Sequence, residues 1–166
     1  MHTLRRGLAA LMILTLPACT ITWHEPTLRP LNTNRFYAAD LAATCDAVDQ
    51  ALQKSGLAIK DSQREERACL VDTNFKVLSD VGEDPANHLK KVAWTGVGRF
   101  IGGRYTVTVT TRTVRDGGTR VRVSTRVEGY INEEFGYQVL RSRGIIEDTL
   151  FSSIAQQLGT AAVETG

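Results

Sequence analysis

Gly103-Arg-Tyr-Thr-Val-Thr-Val-Thr-Thr-Arg-Thr-Val-Arg-Asp-Gly-Gly-Thr-Arg-Val-Arg-Val-Ser-Thr-Arg-Val-Glu-Gly129 decides the fold, because no other stretch has so clear a period. β-Branched residues fill it and Asp116-Gly117-Gly118 interrupts it at the middle, the pattern of a β-hairpin. Strand alternation puts Tyr105, Val107, Val109, Thr111 and Thr113 on one face. On the return strand Val121, Val123, Thr125 and Val127 form the matching set. A two-residue Asp116-Gly117 turn would set Val107 opposite Arg126 and bury arginines. A three-residue loop with Gly118 left-handed pairs Val107 with Val127, Val109 with Thr125 and Thr111 with Val123. The opposite face then carries Arg104, Arg112, Arg120, Arg122 and Arg126, with Arg112 facing Arg122. That face is wet and locally basic, and the apolar face needs a cover.

The rest of the chain is expected to supply that cover. From Asn34, read as a cap, a helix runs to about Ser55 with Leu41, Cys45, Val48 and Leu52 on one stripe, and Gly56 stops it. Leu57–Lys60 and Ala68–Val77 make a second hairpin across the charged turn Gln63–Arg67, with Cys69, Val71, Thr73, Phe75 and Val77 on one face. Ser79 to Asn87 reads as loop. His88 to Ile101 is ambiguous, since Leu89, Val92 and Val97 permit a short helix that Gly96 and Gly98 weaken. Tyr130 to Tyr137 reads as irregular. A last helix starts near Leu140, with the stripe Ile146, Leu150, Ile154 and Leu158, and ends at Gly159. The expected fold class is therefore α+β: a two-layer sandwich of an antiparallel sheet of about four strands on two helices, in the order α-β-β-β-β-α.

At 166 residues with 42% apolar content the chain suits one domain, residues 34–166, once its beginning is set aside. Arg5-Arg6 followed by the apolar run Leu8–Leu16 has the form of a secretory signal over residues 1–18, and the run is too short to span a membrane. Residues 19–33, with two prolines and no period, read as a tether. Leu16-Pro17-Ala18-Cys19 resembles the lipobox of bacterial lipoproteins. That resemblance implies that Cys19 becomes the lipidated first residue of the mature chain. Thr20, standing where an aspartate would favour the inner membrane, implies an outer-membrane anchor facing the periplasm. The order of elements, the lipobox and the run Tyr37–Cys69 (helix, glycine, hairpin with a charged turn) resemble the small helix-grip domains of outer-membrane lipoproteins, of which BamC of the β-barrel assembly machine is the best known. The resemblance implies an accessory or scaffold role in envelope assembly, with a membrane contact through lipid and a protein partner in the envelope.

Removing residues 1–18 takes two of the 20 Lys and Arg and none of the 18 Asp and Glu, so the mature chain is balanced at 18 of each. A neutral domain gives no support for nucleic acid as a partner. In an oxidising compartment Cys45 and Cys69, each on the apolar face of its element, are expected to form a disulfide; the alternative is two buried thiols that never meet. His24 and His88 have no second ligand at metal spacing, so no metal is expected. Gly96-Val-Gly-Arg-Phe-Ile-Gly-Gly103 leads into a strand rather than opening a helix and reads as a turn, not a phosphate loop. Glu133 and Glu134 point apart, and Ser152 and Ser153 have no histidine partner, so neither catalysis nor a cofactor is expected. Two surfaces remain for a partner: the arginine face, or the large aromatics Trp94 and Phe100 with Trp23 of the tether. The preferred reading of Trp94 and Phe100 is as caps on the end of the core, with partner binding as the alternative. The alternative function is a periplasmic module that binds a small or polymeric envelope ligand in a groove between helix and sheet.

Overall fold

A computed structural model describes residues 31, 33–79, 84–96, 98–115, 117–160 and 163–164. The signal segment, Cys19, Trp23 and His24 lie outside the described residues. Among those described, the order is β1 (Asn34–Tyr37), α1 (Leu41–Lys54), β2 (Ile59–Arg64), β3 (Ala68–Thr73), β4 (Lys76–Val77), α2 (Pro85–Val92), β5 (Ala93–Trp94), β6 (Gly102–Thr113), β7 (Thr119–Tyr130), β8 (Tyr137–Ser142), α3 (Ile145–Leu158) and β9 (Val163–Glu164). The strands form one antiparallel sheet whose main path is β2-β3-β6-β7-β1-β9; β4 adds to β6, β8 to the far half of β7, and β5 to β8. Nine strands and three helices among the described residues, a mostly-sheet protein, thus replace the expected four-stranded sheet on two helices.

Each added element has a local cause. Asn34–Tyr37 is a strand rather than the start of a helix, because it completes the open edge of β7, Arg35 lying opposite Val121 and Tyr37 opposite Thr119. The helix begins seven residues later, where the Asp40 carboxylate accepts the Ala43 N–H at 2.8 Å. Asp84 and Pro85 open α2 in the same way: Asp84 accepts the Ala86 N–H at 2.8 Å and the proline occupies the first turn, where its missing N–H costs nothing. Tyr137–Ser142, expected as irregular chain running into a helix, is a strand because the second half of β7 has no other neighbour on that side. The last helix therefore starts at Ile145.

The central hairpin keeps its expected faces but not its expected pairs. Thr113 lies opposite Thr119, so Val107 faces Thr125, Val109 faces Val123 and Arg112 faces Arg120. The connection is five residues rather than three, and this moves every pair by two positions without exchanging the faces. Gly117 and Gly118 both have positive φ, and a side chain at Gly118 would meet the Tyr37 carbonyl oxygen at 2.6 Å.

The inner face of the sheet carries the core. Val107, Val109, Val121, Val123 and Val127 are buried beneath α1 and α3, which pack side by side across β6 and β7. Cys45, Val48 and Leu52 of α1 and Ile146, Leu150 and Ile154 of α3 meet them, as the stripes predict, whereas Leu41 is only half-buried. Each buried valine contributes roughly 1.5 kcal/mol or more. A disulfide joins Cys45 of α1 to Cys69 of β3 across a Cα separation of 6.3 Å and pins the helix layer to the sheet.

Candidate functional site

Among the described residues no helix covers the outer face of the sheet, and the two ends of that face differ in charge. At one end Arg104 is fully engaged: its guanidinium lies over the rings of Phe75 and Tyr137, at 4.0 and 3.8 Å from their centroids, and its Nε donates to Glu128 Oε2 at 2.8 Å. Glu128 is only 4% exposed, and its other oxygen meets Arg126 Nη2 at 2.8 Å. One buried carboxylate therefore compensates two of the five predicted arginines. Around them Val77, Tyr137 and Val139 stand exposed on the same face, Val77 opposite Arg104 and Val139 opposite Glu128.

Phe75 and Val77 were expected inside with Cys69 and Val71. Cys69, Val71 and Thr73 are buried, but Phe75 is 45% and Val77 59% exposed. The chain leaves the β3 ladder after Thr73, the Asn74 N–H bonding to the Ala58 carbonyl, and resumes one residue out of step in β4, which turns Lys76 inward. That slip builds the aromatic clamp on Arg104.

At the other end Arg112, Arg120 and Arg122 are exposed and crowded. Arg112 lies opposite Arg120, Arg122 lies opposite Thr110, and with Asn34 these residues line a shallow pocket of about 300 Å³. Among the described residues no carboxylate is within ion-pair distance of any of the three. Like charges directly opposed across an antiparallel pair are destabilising by a few tenths of a kcal/mol or more, so the cluster is an unfavourable arrangement until an anion meets it. The acids on this face include Glu65, which lines a neighbouring pocket with Arg112 without an ion pair to it, Asp72, engaged by the Thr108 hydroxyl at 2.5 Å, and Asp61, engaged by Gln63.

Trp94 and Phe100 do not join this face. Phe100 is half-buried on the inner side, where its ring fills the space above Gly129; a side chain there would meet it at 2.5 Å. Trp94 is exposed on β5 beneath the Arg143 guanidinium, 4.2 Å from its ring centroid. The aromatics that stand beside an arginine of the open face are Phe75 and Tyr137, which alternation alone could not single out.

A second concavity opens on the helix side, where α2, α3 and the end of α1 do not close over the start of β6. This groove of about 790 Å³ has a floor of Leu57, Val92, Tyr105, Ile146 and Leu150 and a rim that includes Lys54, Lys76 and His88. Ser152 and Ser153 also line the groove, the Ser152 hydroxyl donating to the Asp148 carbonyl in its own helix, and away from it Glu133 and Glu134 are exposed in the turn before β8. Among the described residues no group of three or more His, Cys, Asp or Glu is arranged to hold a metal ion, and no helix is long and apolar enough to cross a membrane.

Two titrations are displaced. Burial pushes the Tyr37 phenol up to about 12, despite the opposing charge of Arg35; its hydroxyl donates to the Phe151 carbonyl at 3.0 Å. The Arg64 guanidinium is raised by hydrogen bonds to Asp46 and then Asp49, both at 2.7 Å, which tie β2 to α1 at the surface. Compared with known proteins, the sequence matches no protein-family model and no curated protein.

Proposed function

We propose that the chain is a non-catalytic lipoprotein of the outer membrane, anchored at Cys19 and facing the periplasm, that serves as an accessory or scaffold in envelope assembly. In this reading the uncovered face of the sheet docks an acidic protein partner. The observation that carries it is the Arg112, Arg120 and Arg122 cluster, exposed and uncompensated on a face whose other two arginines share a buried carboxylate. The exposed Phe75, Val77, Tyr137 and Val139 at the opposite end of the same face supply the apolar contact that charge alone lacks, since interfaces combine aromatic and arginine anchors with a polar rim. The lipobox resemblance supports the anchor.

The test is recovery from detergent-solubilised membranes of the wild type and of the triple variant Arg112→Ser/Arg120→Ser/Arg122→Ser. A protein recovered with the wild type and lost with the variant supports the reading. Equal recovery with both, or no partner at all, counts against it. Intact mass of the membrane-extracted protein is expected to begin at a lipid-bearing Cys19; an unmodified cysteine would remove the anchor. A second reading, a ligand-binding module, draws support from the open groove between helices and sheet.

A further inference from the structure

The groove on the helix side has a division that a simple packing fault would not have. Its floor is wholly apolar apart from the Tyr105 hydroxyl, with Leu57, Val92, Ile146 and Leu150 buried beneath an opening of about 790 Å³. That volume lies within the range of about 300–1,000 Å³ typical of small-molecule sites. The charged residues among its described lining are both basic, Lys54 and Lys76, with no Asp or Glu among them.

Among the described residues, no carboxylate is ion-paired to either lysine. Lys54 Nζ donates to Gln156 Oε1 at 3.1 Å, and the half-buried Lys76 Nζ donates to the Ser55 carbonyl at 2.6 Å. Both positions favour the negative end of the α1 dipole, which accounts for their placement near Ser55. An ammonium has three donors, however, and a single carbonyl leaves the others for a ligand. A half-buried cation beside an apolar cleft is best satisfied by an anion whose own body is apolar, because that anion gains a charge-assisted contact while its tail leaves water.

We propose that this groove binds an anionic amphiphile, a single acyl chain lying on Leu57, Val92, Ile146 and Leu150 with its carboxylate or phosphate head at Lys54 and Lys76. This site is on the helix side and the arginine cluster on the opposite face, so the proposal and the docking reading fail separately.

The experiment uses the full lipidated chain in phosphatidylcholine nanodiscs and a diazirine-bearing octanoate, with labelled peptides mapped by mass spectrometry. Saturable labelling of the Ile145–Leu158 helix is expected, competed by octanoate and by octyl phosphate, the two heads being ranked by their competition. Inorganic phosphate and octanol are expected to compete weakly. Lys54→Gln/Lys76→Gln is expected to weaken labelling about tenfold, as for loss of one charge-assisted contact. Ser153→Trp, which fills the groove and leaves both lysines in place, is expected to abolish labelling. Melting curves identify any variant that fails to fold, and the triple arginine variant is expected to label as the wild type does. No helix labelling, labelling unchanged in both groove variants, competition by octanol equal to octanoate, or full competition by inorganic phosphate would each overturn the proposal.

Discussion

Replacing Glu128 by Gln tests the division of the open face into a compensated and an uncompensated end. Glu128 accepts Arg104 Nε and Arg126 Nη2, both at 2.8 Å, through different oxygens, and its side chain is 6% exposed against 31% for Arg104 and 62% for Arg126. A hydrogen bond to a charged group contributes about 1.5–3 kcal/mol, and the Arg104 contact lies in the upper part of that range because both partners are withdrawn from water. The Arg126 contact is solvent-screened and contributes at most about 1 kcal/mol. Glutamine keeps one acceptor but turns an NH₂ toward a guanidinium, so the expected loss is about 2–4 kcal/mol, read from urea denaturation at neutral pH. Arg126→Ala alone is expected to cost at most about 1 kcal/mol. Arg104→Ala is expected to cost more, since it also empties the space between Phe75 and Tyr137. A double-mutant cycle between positions 104 and 128 is expected to give coupling of about 1–2 kcal/mol. The reasoning is refuted if Glu128→Gln stays within about 0.5 kcal/mol of the wild type, or if Arg126→Ala costs as much as Arg104→Ala.

Three further outcomes follow from the core and its ties. Val123→Ala is expected to cost about 1–3 kcal/mol through lost burial and a cavity, while Arg122→Ala changes stability by no more than about 0.5 kcal/mol; a neutral valine change beside an unfolding arginine change would mean the sheet faces the other way. Replacing Cys45 and Cys69 together is expected to lower stability by about 3.5 kcal/mol for a sequence separation of 24, and freely alkylatable thiols in the native protein would contradict the bridge. Tyr37, folded value about 12 against an ordinary 10, binds its proton more tightly in the folded state. The contribution of Tyr37 to stability is therefore constant below about pH 10 and falls by roughly 3 kcal/mol as pH rises from there to about 12. Phenolate absorbance that appears for all tyrosines near pH 10 while the fold persists would contradict it.

The long periodic elements were legible because many residues vote for each. Twelve alternating positions set the faces of β6, and the stripes Cys45, Val48, Leu52 and Ile146, Leu150, Ile154 set the buried sides of α1 and α3. The disulfide was legible because each cysteine sits on the buried face of its own element, Cys45 on α1 and Cys69 on β3. The short pieces were not. β1 has four residues, one of them an arginine buried against Phe151 and ion-paired to Asp148, so its pattern reads as polar. β8 is exposed along most of its length and owes its existence to the unpaired half of β7. The hairpin register depended on a five-residue connection that composition does not distinguish from a three-residue one. At the site, alternation placed all five arginines on one face. It could not show that Glu128 is buried between two of them, because that depends on the one-residue slip at Asn74–Phe75 and on a strand, β8, where the sequence reads as irregular chain running into a helix.

The central claim, that the uncovered sheet face is where a partner docks, is tested most directly by site-specific photocrosslinking of the full lipidated chain in intact cells. A benzophenone amino acid at Ser124, exposed on β7 among the arginines, is compared with one at Gln157, exposed on α3. The account predicts a discrete adduct from position 124 that disappears when Arg112, Arg120 and Arg122 are serine, and none from position 157. Adducts from position 157 alone, or a position-124 adduct indifferent to the three arginines, would contradict it.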